Sequence, residues 1–152
     1  MAEIVTRTAG DGYRTDIDAS GFKLVVDEPA GVGGTGAGPS PYDLLVAALG
    51  ACTGMTLRMY ATRKGWPLEE VTVALREPRD YAADCENCDK PDAKITQLDR
   101  DIVVSGPLDE TQLDRLRHIA DQCPVHKSLA GAFQVRTTLR AAEPAVTPPA
   151  AG

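Results

Sequence analysis

One stretch constrains this chain more than any other, the run from Ser40 to Gly65, SPYDLLVAALGACTGMTLRMYATRKG. Ser40 is a good N-cap, and Pro41 suits the first helical position because its missing N–H would be unpaired there anyway. Asp43 stands three residues after Ser40 and completes a capping-box-like S-x-x-D. Gly65, followed by Trp66 and Pro67, supplies the stop. The pattern predicts a helix running to about Lys64. Its N-terminal half, LLVAALGAC, is apolar all round, and such a helix is buried on every side rather than lying on a surface. A chain of 152 residues is one domain's worth and buries about 70% of its unfolded surface. That leaves little material to enclose such a helix, so a second subunit is expected to cover it.

The remaining elements follow from turn signals and alternation. Ile4 to Thr8, Tyr13 to Asp18 and Phe22 to Val26 are short runs broken by AGDG and DASG, which predicts a three-stranded antiparallel meander. Residues 31 to 40, GVGGTGAGPS, lack the GK[ST] ending of a phosphate-binding loop and read as a mobile loop. Residues 68 to 77 and 94 to 105 alternate as strands, with a polar loop at 78 to 93 between them. Residues 109 to 122 form an amphipathic helix capped by Asp109, with Leu113, Leu116, Ile119 and Ala120 as its apolar stripe. CPVHKSLAG is a short helical turn ended by Gly131, and residues 132 to 140 are a last strand. Strands dominate both ends with the helices between them, an α+β pattern. The tail AAEPAVTPPAAG is Pro- and Ala-rich and is expected to be disordered.

Charge and hydropathy exclude several function classes. The formal net charge is −6, which argues against nucleic acid as a partner because phosphate binding wants a basic face. The N-terminus MAEIVTRTAG has no apolar signal core, and the longest uncharged apolar run, Leu44 to Cys52, is too short to span a bilayer. No membrane partner is expected, and a cytoplasmic location is the default.

Four cysteines then carry most of the functional question: Cys52, Cys85, Cys88 and Cys123. In a reducing compartment such thiols are catalytic, metal-binding or inert more often than disulfide-bonded. Cys52 lies within the apolar helix among Gly50, Ala51, Thr53 and Gly54, and by position alone it reads as a core cysteine. Cys123 precedes Pro124 and is an N-cap candidate, where a helix N-terminus lowers a thiol pKa. It equally reads as a residue that merely caps a turn. His126 is a nearby polar neighbour. Cys85 and Cys88 form a CxxC in the acidic loop DCENCD. Zinc wants four ligands, and His118 and His126 are the only histidines. A metal, a disulfide and an inert loop all stay open there, with no cofactor and no metal expected as the working assumption.

Two segments, PSPYDLLVAALGACTGMTLRMYA and IADQCPVHKSL, together resemble the OsmC/Ohr family of hydroperoxide reductases. The first is similar to that family's long helix bearing the reactive cysteine, the second to its segment bearing the resolving cysteine. The resemblance covers roughly residues 1 to 140 as a single domain, with 141 to 152 as the tail. It implies an OsmC-like intertwined homodimer, two long central helices wrapped by antiparallel β-sheets, with sites at the subunit interface. It also implies a cysteine-based peroxidase acting in oxidative-stress defence. Cys52 would attack an organic hydroperoxide, Cys123 would resolve the sulfenic acid, and an external dithiol reductant would reopen the disulfide. The organic-hydroperoxide branch has a glutamate ten residues before the reactive cysteine, where this chain has Tyr42 with Asp43 beside it. That branch also has an arginine in its N-terminal hairpin, where this chain has GDGY with Arg14 as a neighbour. The CENC loop resembles a feature of a less characterised OsmC-like subgroup. The competing readings are a non-enzymatic module that binds a hydrophobic ligand beside the central helices, and a metal-dependent protein working through Cys85 and Cys88.

Overall fold

The computed structural model describes residues 3–76, 97–132 and 134–143. The Cys85–Cys88 loop and the tail from 144 onward lie outside the described residues. Those described form two compact units that divide within the long helix, between Ala48 and Leu49.

The first unit opens with the expected meander: β1 (Ile4–Thr8), β2 (Thr15–Ala19) and β3 (Phe22–Val26), paired antiparallel in the order β1-β2-β3. β2 starts two residues later than predicted, because the Thr15 hydroxyl donates back to the Tyr13 carbonyl at 3.1 Å and closes the preceding reversal. Ala19 pairs with Phe22, so Ser20 and Gly21 alone make the next turn. Both have positive φ, 54° and 92°, the mirror-image turn whose twist suits a two-residue hairpin.

The glycine-rich stretch, expected as a mobile loop, is folded around a carboxylate. Asp27, 1% exposed, accepts from the Glu28 N–H at 2.8 Å, the Thr35 N–H at 3.0 Å, the Thr35 hydroxyl at 2.6 Å and the Ala37 N–H at 3.2 Å. The Thr35 hydroxyl bond is the main cause, and the three backbone donors add to it, so the carboxyl sits at about 2 despite burial pushing it upward. Glycine is required for closure. A Cβ on Gly34 would lie 1.8 Å from the Glu28 carbonyl oxygen, and one on Gly38 would lie 2.2 Å from that of Val25.

Helix α1 (Pro41–Lys64) starts and stops as its sequence dictates. Asp43 accepts from the Ser40 N–H at 2.8 Å, and the Ser40 hydroxyl accepts from the Asp43 N–H at 3.1 Å. At the other end Trp66 N–H bonds the Ala61 carbonyl and Gly65 N–H the Thr62 carbonyl, with Gly65 at φ 66°, the two-bond left-handed cap that pairs two of the four carbonyls left free at a helix end. Within one chain the helix is not enclosed on every side. Leu49, Thr53, Leu57 and Ala61 are buried, a single i, i+4 stripe, while Met55 and Met59 are 66% and 62% exposed.

The second unit packs that stripe against a mixed sheet. β4 (Glu70–Arg76), β5 (Gln97–Ser105) and β6 (Gln134–Ala141) lie in that order. β4 and β5 are antiparallel, whereas β5 and β6 are parallel. A parallel pair needs a crossover, and it is made by α2 (Glu110–Ala120) and α3 (Pro124–Leu129). Asp109 closes a capping box with Gln112 at the start of α2. The core comprises Leu57, Ala61, Leu68, Ile102, Val104, Leu116 and Ala120. On β5 the pleat sends Leu98, Arg100, Ile102 and Val104 inward, each 1% exposed or less. Asp99 and Asp101 point the other way, where Asp99 meets Arg136 and Asp101 meets Arg76 and Thr138. The α+β class holds throughout.

Candidate functional site

The second unit brings Cys52 and Cys123 together. Cys52 sits on α1 beside the buried Thr53 and is itself half-buried; Cys123 is the N-cap of α3 and is fully buried. Both are free thiols. Burial pushes Cys52 upward, but the Cys123 thiol, the Val125 N–H and the Thr56 side chain all hydrogen-bond it, and the net position is below the ordinary thiol value. Thr56 can do this because it lies four residues after Cys52, on the same helix face.

Cys123 moves the other way. Burial and its hydrogen bond to Cys52 raise it, and the N–H groups of Val125 and His126 only partly offset them. The sequence supplied a local reason for Cys123 to be the acidic thiol and made Cys52 look like core; the folded environment reverses both. Desolvation outweighs the N-terminal amides at Cys123 because the side chain has no contact with water. Cys52 keeps a path to solvent and gathers three hydrogen bonds.

Beneath the thiols lies a charge that sequence reasoning missed. Arg100, 0% exposed, donates from Nη1 to the Thr53 hydroxyl at 3.0 Å and to the Ala120 carbonyl at 3.3 Å. Its Nη2 donates to Asp121 Oδ1 and to the Thr137 hydroxyl, each at 2.6 Å, and Nε donates to the same hydroxyl at 3.2 Å. Burial lowers its pKa, while the charges of Asp121 and Cys123 push back upward. His126 Nδ1 lies 3.6 Å from the same Asp121 oxygen and, though buried, has no hydrogen-bond partner among the described residues. Burial and the Arg100 charge lower the His126 pKa, so the ring is neutral near pH 7. A signal for Arg100 was available in LDRDIVV: its alternation places Arg100 in phase with Leu98, Ile102 and Val104, where a strand buries its side chains.

The other sequence candidates do different work. The Asp43 carboxylate serves the α1 cap, and Arg14 makes an exposed ion pair with Asp16 at 3.0 Å. Cys85 and Cys88 lie outside the described residues, among which no group of three or more His, Cys, Asp or Glu side chains is placed to hold a metal ion.

Fold and site together define an α+β protein with a paired-thiol centre. The family model for OsmC-like protein matches residues 34–138, and the chain belongs to that family. Among solved structures it is similar to an OsmC-like protein from Mycoplasma pneumoniae, with 17% identity, a TM-score of 0.76, and coverage of 94% of this chain and 98% of that one. It is also similar to an organic hydroperoxide resistance protein OsmC from Legionella pneumophila, at 20% identity, a TM-score of 0.67, and coverage of 91% and 96%. A third is the organic hydroperoxide resistance protein OhrB of Bacillus subtilis, at 21% identity, a TM-score of 0.60, and coverage of 92% and 98%. At such identities the likeness is one of fold. No curated protein matches the chain.

Proposed function

We propose that this protein reduces organic hydroperoxides through Cys52, with Cys123 as the resolving thiol. The observation that carries the reading is the thiol pair itself, one member partly exposed and acidified, the other buried against it. The Cys52 thiolate attacks the terminal oxygen of the peroxide, the O–O bond breaks, and the alkoxide leaves as the alcohol after taking a proton. Cys52 is now a sulfenic acid. Cys123 attacks its sulfur, water departs, and a disulfide remains that an external dithiol reduces. The names of the Legionella and Bacillus proteins support the substrate class.

We propose further that the working form is a homodimer. The exposed stripe of α1, with Ala51, Met55 and Met59, supports this. So, separately, does the apolar face of the N-terminal sheet, where Ile4, Phe22 and Leu24 are exposed, because monomers rarely leave such faces uncovered. Sedimentation equilibrium checks the dimer, and a monomer at micromolar concentration counts against it.

Stopped-flow reduction of cumene hydroperoxide with a dithiol reductant tests the activity. Cys52→Ser should abolish it, and a loss of less than about tenfold, far below what removal of a nucleophile costs, would sink the peroxidase reading. In that event retention of a lipid by both wild type and Cys52→Ala in native mass spectrometry would favour the hydrophobic-ligand module.

A further inference from the structure

The same centre has an asymmetry that matters after the disulfide has formed. Cys52 is partly exposed and Cys123 is not exposed at all. Thiol–disulfide exchange requires the incoming thiolate to reach one of the two sulfurs, and the other sulfur leaves with the bonding pair. Leaving-group acidity alone would favour expelling Cys52, the more acidic thiol of the reduced pair. Access favours the opposite, and access is absolute where a sulfur has no exposed surface. The buried Cys123 must then depart as a thiolate in an apolar setting, which is costly unless a positive charge faces it.

Arg100 is placed to meet that need. It ties together the two segments that carry the cysteines: Thr53, next to Cys52, and Ala120 with Asp121, just before Cys123. Its guanidinium is thereby held against the turn that leads into Cys123, and its charge and that of a Cys123 thiolate favour one another. Cys123 is faced by the Cys52 thiol of α1 and by the N–H groups of Val125 and His126 at the start of α3; Asp121, two residues before it, is paired to Arg100 of β5. In the disulfide Cys52 has no thiol to hydrogen-bond and no charge, so the two influences by which it raises Cys123 are gone. His126 is neutral near pH 7, and Asp121 is half exposed and paired to Arg100. Among the described residues Arg100 is the buried basic side chain.

We propose that Arg100 is a positioning residue for the reductive half-reaction, making Cys123 the departing thiolate and so directing the external dithiol to the Cys52 sulfur. This rests on the resolving role given to Cys123 above. The reductant's thiolate attacks Cys52, the Cys52–Cys123 bond breaks, and its electron pair goes to Cys123. A mixed disulfide joins Cys52 to the reductant. The reductant's second thiolate then attacks its own bound sulfur and releases Cys52 as thiolate. The reductant leaves as a disulfide, having supplied two electrons.

The test starts from protein oxidised with diamide, so it does not depend on any peroxide activity. Treatment with excess 2-mercaptoethanol, trapping with iodoacetamide and peptide mass spectrometry show which cysteine holds the adduct. The proposal expects mercaptoethanol on Cys52 and carbamidomethyl on Cys123; the reverse pattern overturns it. Next, the rate of reopening by dithiothreitol is followed against pH in wild type, Arg100→Lys and Arg100→Met. Single-turnover oxidation of Cys52 by cumene hydroperoxide is measured on the reduced forms. Arg100→Met should slow reopening by about tenfold or more, as expected when a leaving thiolate loses a nearby charge, and Arg100→Lys should recover most of the rate. An equal loss in both half-reactions, or no loss in reopening, overturns the proposal. Adduct mapping needs no variant, so it decides the matter even if Arg100→Met does not fold. Failure of diamide to join Cys52 to Cys123 refutes the resolving role itself. A normal reopening pattern without peroxide turnover refutes only the peroxidase reading.

Discussion

Replacing Thr53 by Val isolates the energetics of the buried guanidinium. Thr53 and Arg100 are both 0% exposed, so water cannot replace what is lost. The Thr53 hydroxyl donates to the Leu49 carbonyl at 2.8 Å and accepts from Arg100 Nη1 at 3.0 Å. The first bond is dispensable, because a helical carbonyl already accepts from the backbone four residues on. The second leaves Nη1 with only the longer contact to Ala120 at 3.3 Å. A hydrogen bond to a charged group is worth about 1.5–3 kcal/mol, and valine fills the same volume, so no cavity is added. For a chain of this size that corresponds to a fall in Tm of about 3–12 °C at 2–4 °C per kcal/mol. Urea titration and calorimetry of the reduced protein measure it. In an Arg100→Met background the same substitution should cost less than about 0.5 kcal/mol, since the donor is gone. An equal cost in both backgrounds would refute the claim that Thr53 acts on Arg100.

Three further outcomes follow from the geometry. Iodoacetamide should label Cys52 of the native protein with a midpoint below that of a free thiol; Thr56→Val should raise that midpoint, and rapid native labelling of Cys123 would contradict its burial. Asp27 sits at about 2 against 3.8 for the free side chain. Its stabilisation is therefore fully present above pH 4 and lost as the pH falls from there toward 2, and acid titration of Asp27→Asn should lack that component. Leu57→Ala removes a core side chain with no exposed surface and should cost about 2–5 kcal/mol by urea denaturation, a value below 1 arguing against the packing described.

Local chemistry accounts for what the sequence showed directly. The ends of α1 were legible because Ser40, Pro41, Asp43 and Gly65 act on atoms within one turn of themselves. The same holds for Asp109 at α2 and for the Ser20–Gly21 hairpin. The paired motifs around Cys52 and Cys123 were legible by resemblance, though not their environment. All-round apolarity in α1 overstated its burial within one chain, since hydropathy reports what a face needs and not what covers it. The parallel pairing of β5 with β6 was hidden, because direction is set by how the crossover helices pack.

The sequence by itself determined where the helices start and stop and the order of strands and helices, and by resemblance it singled out Cys52 and Cys123. Only the tertiary structure decided that the two thiols meet, which one is acidic, and that a buried arginine lies beneath them. The physical reason is that desolvation, charge and access are sums over neighbours from distant parts of the chain. Cys123 has an acidifying helix start beside it in sequence, and Arg100 has the phase of a core residue. What each does depends on α1, β5 and β6 closing around the same few ångströms.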